Sequence, residues 1–356
     1  MSIGRLTCCA LLMCVAPAHR VCAQDSTVKF GEQPPLAVTG FAVGDAGYDR
    51  NLERGTAVAG KLALSLFRPW SDHLYIFGQL TTHLEQADSG PPETHIEIDN
   101  LIINWTPPKL SALSLAFGRF DAPIGFERDD EPLNLVPTTS FTFENARPVK
   151  LTGLLARYAL SPKINLLGLI ANGWDVEIDN NSGKTAGGKL QVFPATSLAI
   201  AAGALYGPEN DTSNVNRTLL SGDLTWQPSQ RVILQAEAHH GSEQGTKWTG
   251  VVAQAFLRVG QSTGLTVRGD VFDDPNGART GTAQTLQSIT ISPWYFYRES
   301  QEGIFSAIEF TSFRLPAFSI RPAVRFDHSS QPVFESKDGT LKQSNVTALV
   351  ELVYLF

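Results

Sequence analysis

The sequence is poor in cysteine, methionine, charge and long apolar runs, and each shortage excludes something. Its 356 residues hold four cysteines and two methionines. All four cysteines, Cys8, Cys9, Cys14 and Cys22, lie at the very front, so the rest of the chain uses no disulfide staple. Charged residues make up 18% and aromatic residues 9%. A disordered chain would carry more charge and fewer aromatics. The formal net charge is −7, which excludes a basic nucleic-acid binder as the default. After residue 24 no stretch approaches 18 consecutive apolar residues, which excludes a helical membrane protein.

The cysteine-bearing front reads as a signal peptide over 1–23. Arg5 supplies the positive start, Leu6 to Pro17 is apolar, and Val21-Cys22-Ala23 is a small-residue cleavage site. The apolar run is too short for a spanning anchor, which needs about 20 residues. Lipidation needs a small residue before the cysteine, but Met13 precedes Cys14 and Val21 precedes Cys22. Removing Arg5 and Arg20 leaves 26 basic residues against 35 acidic ones over 24–356, a net charge of −9.

What is present is alternation with a period of two, in segments of about ten residues. In Arg231 to His239, Val232, Leu234, Ala236 and Ala238 share one face; Arg231, Gln235, Glu237 and His239 share the other. Leu265, Val267 and Val271 oppose Thr266, Arg268 and Asp270, and Ile320, Val324 and Phe326 oppose Arg321, Arg325 and Asp327. The connections alternate too. Short ones, such as Ser161-Pro162, Pro194-Ala195-Thr196 and Pro316-Ala317, exchange with long polar ones, such as Asp45 to Gly55, Ala122 to Arg147 and Gly207 to Asn216. Short turns on one side and long loops on the other predict an all-β, transmembrane, antiparallel up-and-down β-barrel in an outer membrane.

Segments near 36–46, 56–67, 73–86, 94–106, 111–120, 148–160, 163–175, 184–193, 197–206, 217–227, 231–240, 246–258, 264–272, 282–292, 294–299, 303–315, 318–328 and 343–356 give about 18 strands, within the even-numbered range of such barrels. The segment 294–299 is short, so 16 is the alternative. Segments 94–106 and 148–160 alternate badly; in the first, Ile96 and Ile98 set one phase and Leu101, Ile103 and Trp105 the other, as a bulge would produce. In the last segment Val346, Ala348, Val350, Leu352, Tyr354 and Phe356 are apolar at every second place. Such a strand, closed by an aromatic residue, resembles the assembly signal of outer-membrane barrels, with Tyr354 and Phe356 as its key residues. Trp70, Trp105, Trp226, Trp294, Tyr354 and Phe356 fall near the short turns, where rings would lie at the membrane interface.

The run Phe117-Gly118-Arg119-Phe120-Asp121-Ala122-Pro123-Ile124-Gly125-Phe126-Glu127, then a long loop, then Pro148 and Leu151-Thr152-Gly153-Leu154, resembles the putative β-barrel porin family of Gram-negative outer membranes. So does Ile320-Arg321-Pro322-Ala323-Val324-Arg325-Phe326-Asp327-His328. The resemblance implies passive diffusion of small hydrophilic solutes or ions through a water-filled barrel. It implies no substrate, cofactor or catalytic residue. The partners expected are outer-membrane lipid, the solutes and the barrel-assembly machinery; a homotrimer is borrowed from porins generally.

The connection 122–147 is too long to be structureless without purpose. We expect it to fold into the barrel and narrow it, with Glu127, Asp129, Asp130 and Glu131, interrupted by Arg128, facing Arg119, Arg147 and Arg157 across the pore. A solvated outer loop is the alternative. Arg231, Glu237, Arg268, Asp270, Arg321, Arg325 and Asp327 are expected to line the wall, either tuning permeation or merely pairing with neighbours. Both signs occur there, so anion or phosphate specificity is not indicated, and the negative balance suggests a weak cation preference.

Other chemistry is faint. His239 and His240 are adjacent, so on a strand their rings point apart and cannot share a metal. Gly183-Lys184-Thr185 lacks the upstream glycine of a phosphate loop, and no G-x-S-x-G motif occurs. Asp327-His328 is the one pair worth naming for a barrel hydrolase. That hydrolase, and a non-conducting structural or adhesion barrel acting through its outer loops, are the rival functions.

Overall fold

The computed structural model describes residues 36–85, 93–211, 213–299 and 310–356. The expected signal peptide lies outside the described residues. The strands are β1 (Ala37–Asp49), β2 (Arg54–Ser71), β3 (Leu74–Glu85), β4 (Glu93–Trp105), β5 (Leu113–Asp121), β6 (Lys150–Ser161), β7 (Ile164–Trp174), β8 (Thr185–Ala195) and β9 (Leu198–Asn210). They continue as β10 (Ser213–Ser229), β11 (Val232–Glu243), β12 (Thr246–Arg258), β13 (Thr263–Asp274), β14 (Gln284–Glu299), β15 (Pro316–Ser329), β16 (Phe334–Glu335), β17 (Leu341–Lys342) and β18 (Ser344–Leu355). Among the described residues, sixteen of these close into an antiparallel barrel; β16 and β17 form a separate two-stranded ribbon. The seam is β1 against β18, with register from Phe41↔Leu355 to Asp49↔Thr347.

Alternation orients the wall. Val267 and Val271 point outward and are exposed, while Thr266, Arg268 and Asp270 point inward and are buried. The same holds for Leu62, Leu64 and Leu66 on β2 and for Val350, Leu352 and Tyr354 on β18. An apolar outer face this continuous is stable against lipid, and ring closure leaves no backbone edge unpaired. Among the described residues no helix is long and apolar enough to cross a membrane; the strands do so.

The count is sixteen, the alternative rather than eighteen. Segments 282–292 and 294–299 are one strand, β14, divided in the sequence by Pro293. Its ladder with β15 runs from Ile291↔Val324 directly to Tyr295↔Ile320, so Pro293 and Pro322 face each other where neither must donate a backbone N–H. Of segment 303–315, residues 303–309 lie outside the described residues, and 310–315 is turn, bend and one bridge. Pro316 opens β15 instead of forming a turn.

The phase break in 94–106 is a bulge. The β3–β4 register shifts between Gln79↔Asn100 and Leu80↔Ile98, leaving Asp99 extra. Asp99 and Asn100 are consequently both buried. In 148–160 the inward positions Leu151 and Leu155 are apolar because they pack in one cluster with Ala122 and Ile124 at the root of the long loop. One side of the barrel has two-residue turns at 72–73, 162–163, 196–197 and 230–231. The other carries 122–149, 175–184, 275–283 and 330–343. Two expected long loops there shrink, because β1 and β2 extend to Asp49 and from Arg54, and β9 and β10 to Asn210 and from Ser213. Trp70, Trp105, Trp226, Tyr354 and Phe356 are exposed near the short-turn ends. Trp294 is only 1% exposed and points into the barrel, so it is no part of an interfacial belt.

Candidate functional site: the infolded loop and the wall that holds it

The connection between β5 and β6 enters the barrel, where wall side chains bind it on several sides. Gly125 (φ +71°) turns the chain so that the Phe126 N–H donates to the Glu237 carboxylate on β11. Ser140 caps the short helix α1 (Phe141–Ala146): its Oγ accepts from the Phe143 N–H at 2.9 Å and donates to Glu127. Trp248 Nε1 on β12 donates to the Ala146 carbonyl at 3.0 Å, and Trp294 Nε1 on β14 to the Leu135 carbonyl at 2.9 Å.

Three wall arginines hold the far side of the loop. Arg268 on β13 donates to Glu127 at 2.9 Å, to the Thr139 carbonyl at 2.9 Å and to the Thr138 carbonyl. Arg321 on β15 donates to the carbonyls of Asn134 (2.6 Å) and Glu131 (3.0 Å) and pairs with Glu351 on β18. Arg325 pairs with Asp327 at 2.6 Å and donates to the Thr139 carbonyl. Asp270 accepts from the Phe141 N–H at 3.0 Å. Guanidinium forks on loop carbonyls give fixed, charge-assisted bonds.

The acidic turn of the loop faces the opposite part of the wall. Lys61 on β2 lies 3.5 Å from Asp129, 3.6 Å from Glu131 and 3.9 Å from Asp130. Lys150 at the start of β6 lies 2.7 Å from the bulge residue Asp99 and 3.4 Å from Asp129, and also bonds Asp121. Gln79 Nε2 donates to Asp130 at 2.9 Å. Burial pushes the Asp130 carboxyl up to about 8 against the pull of Lys61. Burial likewise raises Glu131 to about 7, and Glu127 to about 7 despite Arg268.

The expected site residues therefore divide. Asp129, Asp130 and Glu131 face the two lysines, not Arg119, Arg147 and Arg157. Arg147 is buried in the loop root, donating to the Glu127 carbonyl at 2.6 Å with its Nε 3.7 Å from Glu237. Arg128 donates within the loop, to the carbonyls of Gly125 and Glu127. Arg157 sits on the inward face of β6, paired in register with buried Leu167. Arg119 is paired in register with Leu101 and bonds the Asp99 carbonyl and Glu177. Arg231 lies exposed in the β10–β11 turn, not on the wall. The sequence reading missed Lys61, Asp99, Gln79, Trp248 and Glu351. Glu351 had a signal: it is the one charged residue opposite the apolar face of β18.

Between the loop and the β15–β18 wall lies a cavity of about 500 Å³, lined by Asp129, Glu131, Asn134, Val136 to Thr139, Glu144, Arg325, Asp327 and Thr347. Four acidic groups and one arginine border it.

A closed sixteen-stranded barrel with an outward apolar face and a charged, infolded loop defines a porin of the Gram-negative outer membrane. The chain belongs to the family described as Putative beta-barrel porin-2, OmpL-like, whose profile matches residues 75–356. Solved structures share its fold. The outer membrane channel DcaP of Acinetobacter baumannii is 14% identical, with 90% of this chain and 97% of that chain covered and a TM-score of 0.62. An anion-selective porin from Comamonas acidovorans is 9% identical, with 90% and 99% covered and a TM-score of 0.61. Salmonella typhi OmpF in complex with daunomycin is 11% identical, with 90% and 97% covered and a TM-score of 0.62. No curated protein matches the chain.

Proposed function

We propose that ions and small hydrophilic solutes pass beside the infolded loop, through the gap against β15 and β18, and that this gap favours cations. The observation that carries the reading is its lining: Asp129, Glu131, Glu144 and Asp327 against Arg325. Charged groups at a constriction select ions by sign. Arg268 and Arg321 are spent on loop carbonyls and on Glu127 and Glu351, and Lys61 and Lys150 approach Asp129 and Glu131 from the β2 and β6 side, outside the lining of the gap. The reading requires neither turnover nor a cofactor. A homotrimer fits it, since OmpT of Vibrio cholerae, 11% identical with a TM-score of 0.57, is described in a trimer form. Outer-membrane lipid against the apolar face fits as well, as does delivery by the barrel-assembly machinery through β18.

The test is single-channel current across a planar bilayer carrying residues 24–356, with the reversal potential read in a salt gradient. We expect stepwise ohmic conductance and a cation-favouring potential, and for Asp129→Asn with Glu131→Gln a shift towards zero. Silence from a barrel shown to be folded overturns the reading. An anion-favouring potential overturns the charge preference.

A further inference from the structure

We infer a second constriction in series with the first: a strap, residues 310–315, anchored by buried rings, laid across the short-turn mouth of the barrel and limiting the width of what leaves or enters there. The inference rests on the porin reading above.

The strap's neighbours place it. Phe310 packs on Phe193 of β8 with ring centroids 5.4 Å apart. The Ser312 N–H and hydroxyl donate to Gln227 Oε1 of β10 at 2.7 and 3.0 Å. Phe313 lies 4.9 Å from the Phe256 ring of β12 and 6.1 Å from Trp294 of β14. Pro316 then opens β15. In ring order β8 is seven strands from β15, so six residues run between nearly opposite walls. Such a stretch reaches at most about 20 Å, so it cannot follow the rim and must cut across the mouth.

The partners all face the lumen. Lys189 and Gln191 are buried on β8, and the next residue of that phase is Phe193. Thr225 precedes Gln227 on β10, Gln254 precedes Phe256 on β12, and Ser292 precedes Trp294 on β14, each at a buried inward position. These residues stand at the short-turn ends of their strands. Phe313 and Leu315 are 4% and 2% exposed, whereas Ser312 and Arg314 are exposed. Phe256, Trp294, Phe296 and Phe313 form one ring cluster with every centroid pair within 6.3 Å.

The strap therefore narrows the mouth by its bulk: Phe313 and Leu315 are packed away and anchor it to the wall, while Ser312 and Arg314 are left on the open side. A strap across a mouth leaves less width for a hydrated solute, and the exposed Arg314 adds one positive charge there. The loop sets most of the charge preference, and the strap sets the width at the mouth. Trp294 joins the two, since it packs on Phe313 and holds the Leu135 carbonyl of the loop.

The test uses residues 24–356, which contain no cysteine, in a planar bilayer. Phe313→Ala, which removes the strap's ring anchor, should raise single-channel conductance about twofold. In Ser312→Cys, a bulky thiol reagent added on the short-turn side should cut the current by half or more, and reducing agent should restore it. Unchanged conductance in the first, or complete labelling without a current change in the second, overturns the strap. If Phe313→Ala fails to fold, the cysteine variant decides alone. A folded wild type that never conducts instead overturns the porin reading on which the strap depends.

Discussion

Individual side chains decide whether the loop stays inside the barrel. Gly125 is one such position. A Cβ there would stand 2.2 Å from Glu237 Oε2, in a left-handed conformation that side chains avoid. Gly125→Ala should therefore break the Phe126–Glu237 anchor, giving larger and noisier single-channel currents from a barrel of unchanged strand content. Currents identical to wild type would remove the anchor's importance. Arg268 is the stronger case, being fully buried and bound to Glu127 and two carbonyls at once. Removing one partner of a buried pair costs about 3–5 kcal/mol. Arg268→Ala should undock the loop, read as protease cleavage between 128 and 139 in a barrel that otherwise resists.

The infolded loop as an element should respond to pH. Asp130, Glu131 and Glu127 are raised to about 8, 7 and 7 by burial, so the docked loop binds protons that the undocked loop releases. Docking is then fully supported below the ordinary carboxylate range of about 4 and weakens as pH rises through 7 to 8. Conductance should be small and steady at low pH and become larger or flickering above about pH 8. Asp130→Asn should flatten that dependence. A pH-independent wild type would refute the linkage. Deleting Arg128 to Thr139 should widen the pore outright, and unchanged conductance would refute obstruction by the loop.

Closure is the property of the whole molecule, and Gly40 guards it at the seam. Its N–H and carbonyl exchange hydrogen bonds with Phe356 at 2.9 and 3.0 Å. An added Cβ would meet the Ala63 carbonyl oxygen at 2.2 Å and the Phe356 ring at 2.8 Å. Gly40→Val should sharply reduce the fraction of protein that migrates as a heat-modifiable barrel in gel electrophoresis. Gly168→Ala, where a Cβ meets nothing within 4 Å, should not. Equal yields from both would show that the seam tolerates the crowding.

The sequence alone determined the barrel. Alternation has a period of two and needs no long-range information, so strands such as β11, β13 and β18 are visible in any ten residues. The bulge at Asp99 was legible as a phase slip, because an extra residue must reverse the facing of everything after it. Pro293 misled, because it breaks the segment in the sequence while the pairing runs on past it, from Ile291↔Val324 to Tyr295↔Ile320, with Pro322, which also has no N–H to donate, opposite. The site was legible in its residue types and obscure in its pairings. Arg268, Arg321, Arg325, Glu237, Asp270 and Asp327 do face inward. Which of them hold carbonyls, and which line a gap, depends on where a 28-residue connection lies across sixteen strands. Lys61 and Lys150 meet Asp129 only because closure brings β2 and β6 around the same loop. Those contacts are set by ring order and loop path, and tertiary structure alone supplies both.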